Sequence, residues 1–160
     1  MIREIDANLL EYPLDGIVHQ CNCFHTMGSG IAKRIREKYP EAYKADLQQG
    51  RRGDISKLGT FSLVKAYDDK YIYNMYGQYN FGLEKRQTNY EAVYKGLYSI
   101  CGHTSSYDIL SLDPPRNIRL GLPKNMGCKL GGGSWIIVRA IIEEVFGAWQ
   151  HDLYICNYEG

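Results

Sequence analysis

NMGCKLGGGSW, Asn125 to Trp135, sets three consecutive glycines, Gly131, Gly132 and Gly133, directly ahead of the most apolar helix candidate in the chain. Glycine raises the entropy cost of folding and brings no side chain to pack, so the triplet serves some purpose that a Cβ would obstruct. Two purposes fit: a tight strand-to-helix turn, or close approach of backbone to a ligand. A second loop, NCFHTMGSG at Asn22 to Gly30, likewise follows an apolar run, Asp15 to Cys21, and likewise opens a helix. A helix N-terminus offers unpaired N–H groups and the positive end of a dipole, and glycine lets an anion reach both. Paired loops of this kind at strand carboxyl ends suit two parts of one phosphorylated ligand. Neither matches a dinucleotide GxGxxG or a P-loop, because Lys124 precedes the glycines instead of following them.

Working outward, the pattern alternates strands with helices. Strands are expected at Ile2 to Ile5, Asp15 to Cys21, Thr60 to Lys65, Tyr71 to Tyr76 and Asp152 to Cys156, the third and fourth pairing as a hairpin around Asp68 and Asp69. Ile31, Ala32, Ile35 and Tyr39 recur at helical spacing, and Pro40 ends that helix while opening the next, which stops at Gly50. Thr88 with Glu91 reads as a capping box for a helix marked by Tyr90, Val93, Tyr94, Leu97 and Cys101. Ser134 is the expected cap of the last helix, Trp135 to Phe146, with an Arg139–Glu143 pair and Gly147 as its stop. Asp108 to Leu112 and Ile118 to Leu122 are one interrupted strand or two, divided by DPPRN. The order predicts an α/β protein, a three-layer α/β/α sandwich with a central mixed sheet, as one domain over residues 1–160.

Composition bounds the partners. At 160 residues with 44% hydrophobic and 23% charged positions the chain is globular, and no apolar run is long enough for a bilayer. Charges in MIREIDANLLEY occupy the place of a signal's apolar core, so a cytoplasmic location with five reduced cysteines is expected. A net charge of +1 gives no strong nucleic-acid signal, and a monomer without membrane attachment is expected. His19, Cys21, Cys23 and His25 alternate, but in an extended strand the outer two stand roughly 20 Å apart. One zinc with bonds of about 2.0 to 2.3 Å does not span them, so no metal or other cofactor is expected. Cys21 and Cys23 read as small core residues, and a catalytic thiol there lacks an ordering acid in the local sequence. Tyr79, Phe81 and Tyr90 either stack a base or roof the core.

The succession IVHQCNCFHTMGSGIA, YNMYGQY and LPKNMGCKLGGGSW resembles a macrodomain, the ADP-ribose-binding fold, over nearly the whole chain. The likeness is greatest to compact bacterial and phage-type members and to the ADP-ribose 1''-phosphate phosphatases. It implies a small-molecule ligand, ADP-ribose or a phosphorylated derivative. The second loop would wrap the diphosphate through Gly127, Cys128 and Leu130 to Ser134, with Lys129 adding charge. Gly28, Ser29, Gly30 and Ile31 would line the first loop, and Asn22 would contact the distal ribose. Asn8 stands where many members place an aspartate that reads the adenine amino group. Gln78 stands where the terminal ADP-ribose glycohydrolase branch has a nucleophilic lysine, and Gly131 where that branch has its catalytic aspartate. An amide forms no Schiff base and glycine carries no carboxylate, so that route is disfavoured.

The resemblance therefore implies hydrolysis of ADP-ribose 1''-phosphate to ADP-ribose and phosphate. Asn22 would orient the ribose, His25 would donate a proton or touch the phosphate, and Gln78 or Tyr79 would place the water. A reader without turnover and a hydrolase of another ADP-ribose linkage are the alternatives.

Overall fold

The computed structural model describes residues 1–106 and 116–158. Six strands, β1 (Ile2–Asp6), β2 (Gly16–Cys21), β3 (Phe61–Lys65), β4 (Tyr71–Tyr76), β5 (Arg119–Pro123) and β6 (Asp152–Asn157), form one sheet in the order β1-β6-β5-β2-β4-β3. Every neighbouring pair is parallel except β3–β4, the expected hairpin, in which Phe61 faces Met75. The mixed sheet and its helices are the α/β architecture that the alternating pattern predicts. The expected strand at Asp108 to Leu112 lies outside the described residues, whereas Ile118 to Leu122 corresponds to β5.

Two helices, α1 (Gly30–Lys38) and α2 (Pro40–Gln48), cover one face of the sheet, and α3 (Tyr90–Ser106) and α4 (Trp135–Phe146) cover the other. Because strand side chains alternate, β2 and β4 feed both cores. Ile17 and Ile72 pack with Ile35, Tyr39 and Ala42, while Val18 and Tyr73 pack with Val93, Leu97, Val138 and Ile142. Pro40 occupies the first turn of α2, where its missing N–H costs no helical bond.

The α1/α2 face also buries a polar chain. His19 Nε2 lies 2.6 Å from Asn74 Oδ1, Asn74 Nδ2 donates to Ser62 Oγ at 3.1 Å, and the Tyr76 hydroxyl donates to Asp46 Oδ1 at 2.8 Å. Lys57 Nζ reaches the same carboxylate at 3.4 Å. These groups hold one another, as burial of polar atoms requires, except that Asp46 Oδ2 is buried with no hydrogen-bond partner.

Two helix starts differ from the sequence reading. Asn89, not Thr88, caps α3, its Oδ1 accepting from the Ala92 N–H at 3.0 Å. Thr88 is buried, and its hydroxyl turns instead to the Gly127 carbonyl at 2.6 Å. Ser134 does head α4, but its side chain makes no capping bond, and its own N–H donates to the Tyr90 hydroxyl at 2.9 Å. Among the described residues, no helix is long and apolar enough to cross a membrane.

Candidate functional site

β2 leads into α1 on one face of the sheet and the neighbouring β5 leads into α4 on the other, so a crevice opens between their carboxyl ends. A cleft of about 910 Å³ occupies that crevice, large enough for a dinucleotide-sized ligand. One wall is Thr26 to Ala32, the turn that starts α1. The other is Pro123 to Gly127 with Lys129 to Gly131, and Asn157 and Tyr158 close one end while Gln78 and Phe81 to Leu83 close the opposite one. Leu130 reaches across, its Cδ1 3.3 Å from where a Gly30 Cβ would stand.

The structure thus brings together Asn22, Gly28, Ser29, Gly30, Ile31, Gln78, Gly127, Lys129, Leu130 and Gly131 around one cavity. Cys128, Gly132, Gly133 and Ser134 are not part of its lining, and the first turn of α4 therefore does not face it. The triplet glycines have a packing cause. A Cβ on Gly131 would collide with Thr88 Oγ1 and the Gly127 carbonyl, and one on Gly133 would stand 2.8 Å from that same carbonyl. Gly132 has φ +71, and a Cβ there would stand 3.2 Å from Arg86 Cα. Loop two is glycine-rich mainly so that its backbone can lie against residues 86–88 and Gly127.

Three other expected contacts fall elsewhere or in altered form. Asn8 lies outside the lining, with Oδ1 accepting from the Leu10 N–H at 3.0 Å and from Arg34 Nη2 at 3.4 Å. Arg34 itself lines the cleft, 5.5 Å from the centroid of the Tyr158 ring. His25 adopts φ +58, and its Nε2 lies 3.5 Å from the Gln49 carbonyl, outside the cleft lining. The Tyr79 hydroxyl donates to the Gly53 carbonyl at 2.7 Å, and its ring packs edge-on against Phe24.

Asn22 is fixed at both ends of its amide, Nδ2 donating to Thr26 Oγ1 at 2.7 Å and Oδ1 accepting from the Phe24 N–H at 2.8 Å. Gln20 and Thr88 were not legible as site residues. The Gln20 amide donates to Gln78 Oε1 at 2.8 Å and to Thr88 Oγ1 at 2.9 Å, joining the end of β2 to the segment after β4 and, through Thr88, to the second loop at Gly127. Gln20 sits in a wholly buried strand and Thr88 in a plausible cap, so neither residue type signals a site from sequence.

Arg34, Lys124 and Lys129 line the cleft with no Asp, Glu or His among the described lining residues. Lys124 is paired with Glu4 at 2.8 Å. Cys21 at the cleft floor is nearly equidistant from both His19 ring nitrogens, at 3.7 and 3.6 Å, and so lines up with neither lone pair. Burial raises its thiol well above the ordinary range and pushes Cys156, also in the lining, up to about 11. Both stay protonated at neutral pH, which removes the thiolate that nucleophilic chemistry needs. Among the described residues, no group of three or more His, Cys, Asp or Glu is disposed to hold a metal ion.

The Macro domain family model matches residues 18–116, more than half of the chain. The protein belongs to the macrodomain family. An uncharacterised 17.5 kDa protein from the tk-vs intergenic region of Enterobacteria phage T4 is 32% identical to this macrodomain over 148 residues, 89% of this chain and 88% of that one. A DNA ADP-ribosyl glycohydrolase of Thermus aquaticus is 24% identical over 94% of this chain and 39% of its own length. An ADP-ribose 1''-phosphate phosphatase of Aspergillus oryzae is 48% identical, but over only 44 residues, 26% of this chain and 21% of that protein. The structure of Thermosipho africanus DarTG in complex with ADP-ribose superposes with a TM-score of 0.76 at 19% identity, covering 98% of this macrodomain and 41% of that chain.

Proposed function

We propose that this macrodomain binds ADP-ribose in the cleft and hydrolyses ADP-ribose 1''-phosphate to ADP-ribose and phosphate. The observation that carries the reading is the pair of backbone-rich walls, residues 26–32 and 123–127 with 129–131, facing each other across one cavity whose described lining has three cations and no carboxylate. A diphosphate suits the free amides at the start of α1, where Ser29 makes no side-chain cap. The adenosine lies toward Arg34 and Tyr158, and the distal ribose with its phosphate toward Asn22 and Gln78. Water attacks phosphorus, the bond between phosphorus and the C1'' oxygen breaks, one proton of the water passes to that departing oxygen, and amide donors stabilise the charge that develops. His25, against Gln49, is assigned no step.

Binding without turnover is the second reading, favoured by the lack of any carboxylate or imidazole in the described lining. Glycosidic cleavage through a lysine is disfavoured, since Gln78 is an amide. Phosphate release from ADP-ribose 1''-phosphate, measured beside calorimetric binding of ADP-ribose, separates the two. Turnover that falls at least about tenfold in Asn22→Ala supports the phosphatase, and affinity with no release in the wild type makes the protein a reader.

A further inference from the structure

The polar groups that run from the second loop to the segment after β4 can be oriented from their ends. The Gly127 carbonyl and the Asn80 carbonyl are acceptors only. Thr88 Oγ1 spends its single hydrogen on Gly127 at 2.6 Å, so it must accept from Gln20, whose Nε2 lies 2.9 Å away. The other hydrogen of Gln20 Nε2 points to Gln78 at 2.8 Å, which requires the Gln78 oxygen there. Gln78 Nε2 then faces Asn80 and donates to its carbonyl at 2.8 Å. Reversing any amide would set oxygen against oxygen at one of the two fixed ends. The remaining Gln20 oxygen is buried with no protein partner, pressed 2.7 Å from where a Gly127 Cβ would stand. Gln20 thus works here purely as a donor, at the cost of an unsatisfied acceptor.

We infer that Gln20, supported by Thr88, is a positioning residue that holds the Gln78 carboxamide with its oxygen turned to Gln20 and one N–H left for a ligand. Asn22 is set the same way, its Oδ1 taken by the Phe24 N–H and one Nδ2 hydrogen unspent. Among the described residues, the distal end of the cleft offers oriented N–H donors and no ionisable base, so it takes an anionic group such as a phosphate monoester in preference to a neutral sugar terminus. This rests on the ADP-ribose reading and adds to it the sign of the group selected and the residue that enforces it.

The test is displacement of a fluorescent ADP-ribose by ADP-ribose and by ADP-ribose 1''-phosphate, read within seconds of mixing. Wild type is expected to prefer the phosphorylated ligand by about tenfold, the worth of one charge-assisted hydrogen bond. Gln20→Met and Thr88→Val should bring the ratio close to one, Thr88→Ser should keep it, and Gln20→Met should change nothing further in a Gln78→Met background. A purely structural role would lower both affinities together and leave the ratio. Equal affinities in wild type, or a ratio unmoved in folded Gln20→Met and Thr88→Val, overturn the inference. Wild type that displaces the probe with neither ligand, or fails to bind it, overturns the ADP-ribose reading itself and the inference with it.

Discussion

Gly28 and Gly131 both line the cleft, yet a side chain at each would meet different surroundings. The nearest atom to a Gly28 Cβ is the Thr26 carbonyl at 3.7 Å, ordinary contact, and its backbone is not left-handed. Gly28→Ala should bind ADP-ribose and melt like wild type. Gly28→Glu should melt within a few degrees of it but lose at least about tenfold in affinity, because a carboxylate then competes with the diphosphate. Gly131→Ala, by contrast, drives a methyl into Thr88 Oγ1 and the Gly127 carbonyl, and chemical denaturation should show a loss of about 1 to 3 kcal/mol. If Gly28→Glu bound normally, the ligand would not lie along the first loop. The residue scale is also where the sequence was least legible. That Asn22 and Gln78 line the cleft could be anticipated because the resemblance fixed their positions. Gln20 was hidden in a buried strand, and His25, though in the right loop, is turned aside by a backbone angle that no residue pattern announces.

Helix starts give the matching lesson for elements. Both Asn89 and Ser134 stand immediately before a helix, but only Asn89 bonds the first-turn amides. Asn89→Ala should cost about 1 kcal/mol by denaturant unfolding and Ser134→Ala no more than a few tenths. Equal losses would mean that Ser134 caps α4 in solution. Element positions were readable where two signals coincided. Apolar spacing with Pro40 separated α1 from α2, and two β-rich runs around Asp68 and Asp69 marked the hairpin. The start of α3 was misassigned by one residue because Thr88 and Asn89 are both good caps, and only the Gly127 carbonyl decides which one is otherwise engaged.

Across the whole molecule, the polar chain beneath α2 links stability to pH. Burial lowers His19 to about 4 against an ordinary value of 6.5. Above pH 6.5 the ring is neutral folded or unfolded. Below it the unfolded chain takes the proton first, so stability falls as the pH drops from 6.5 toward 4, by up to about 3 kcal/mol. Melting temperatures over that range should fall more steeply for wild type than for His19→Gln; parallel curves would place the acid-sensitive group elsewhere. The layered class was legible from alternation alone, but the strand order was not, because partners such as Ile2 and Leu153 are distant in sequence and local patterning says nothing of who pairs with whom.

That order has a temporal side. β6 is made after the other five described strands, yet it sits between β1 and β5. A nascent chain emerging from a ribosome therefore carries β1 as an unpaired ribbon until β6 emerges, with the hydrophobic slot beside β5 open to chaperones or to neighbouring chains. Asn157 and Tyr158 arrive with the strand that fills the slot, so closing the sheet and completing the end of the cleft are one event.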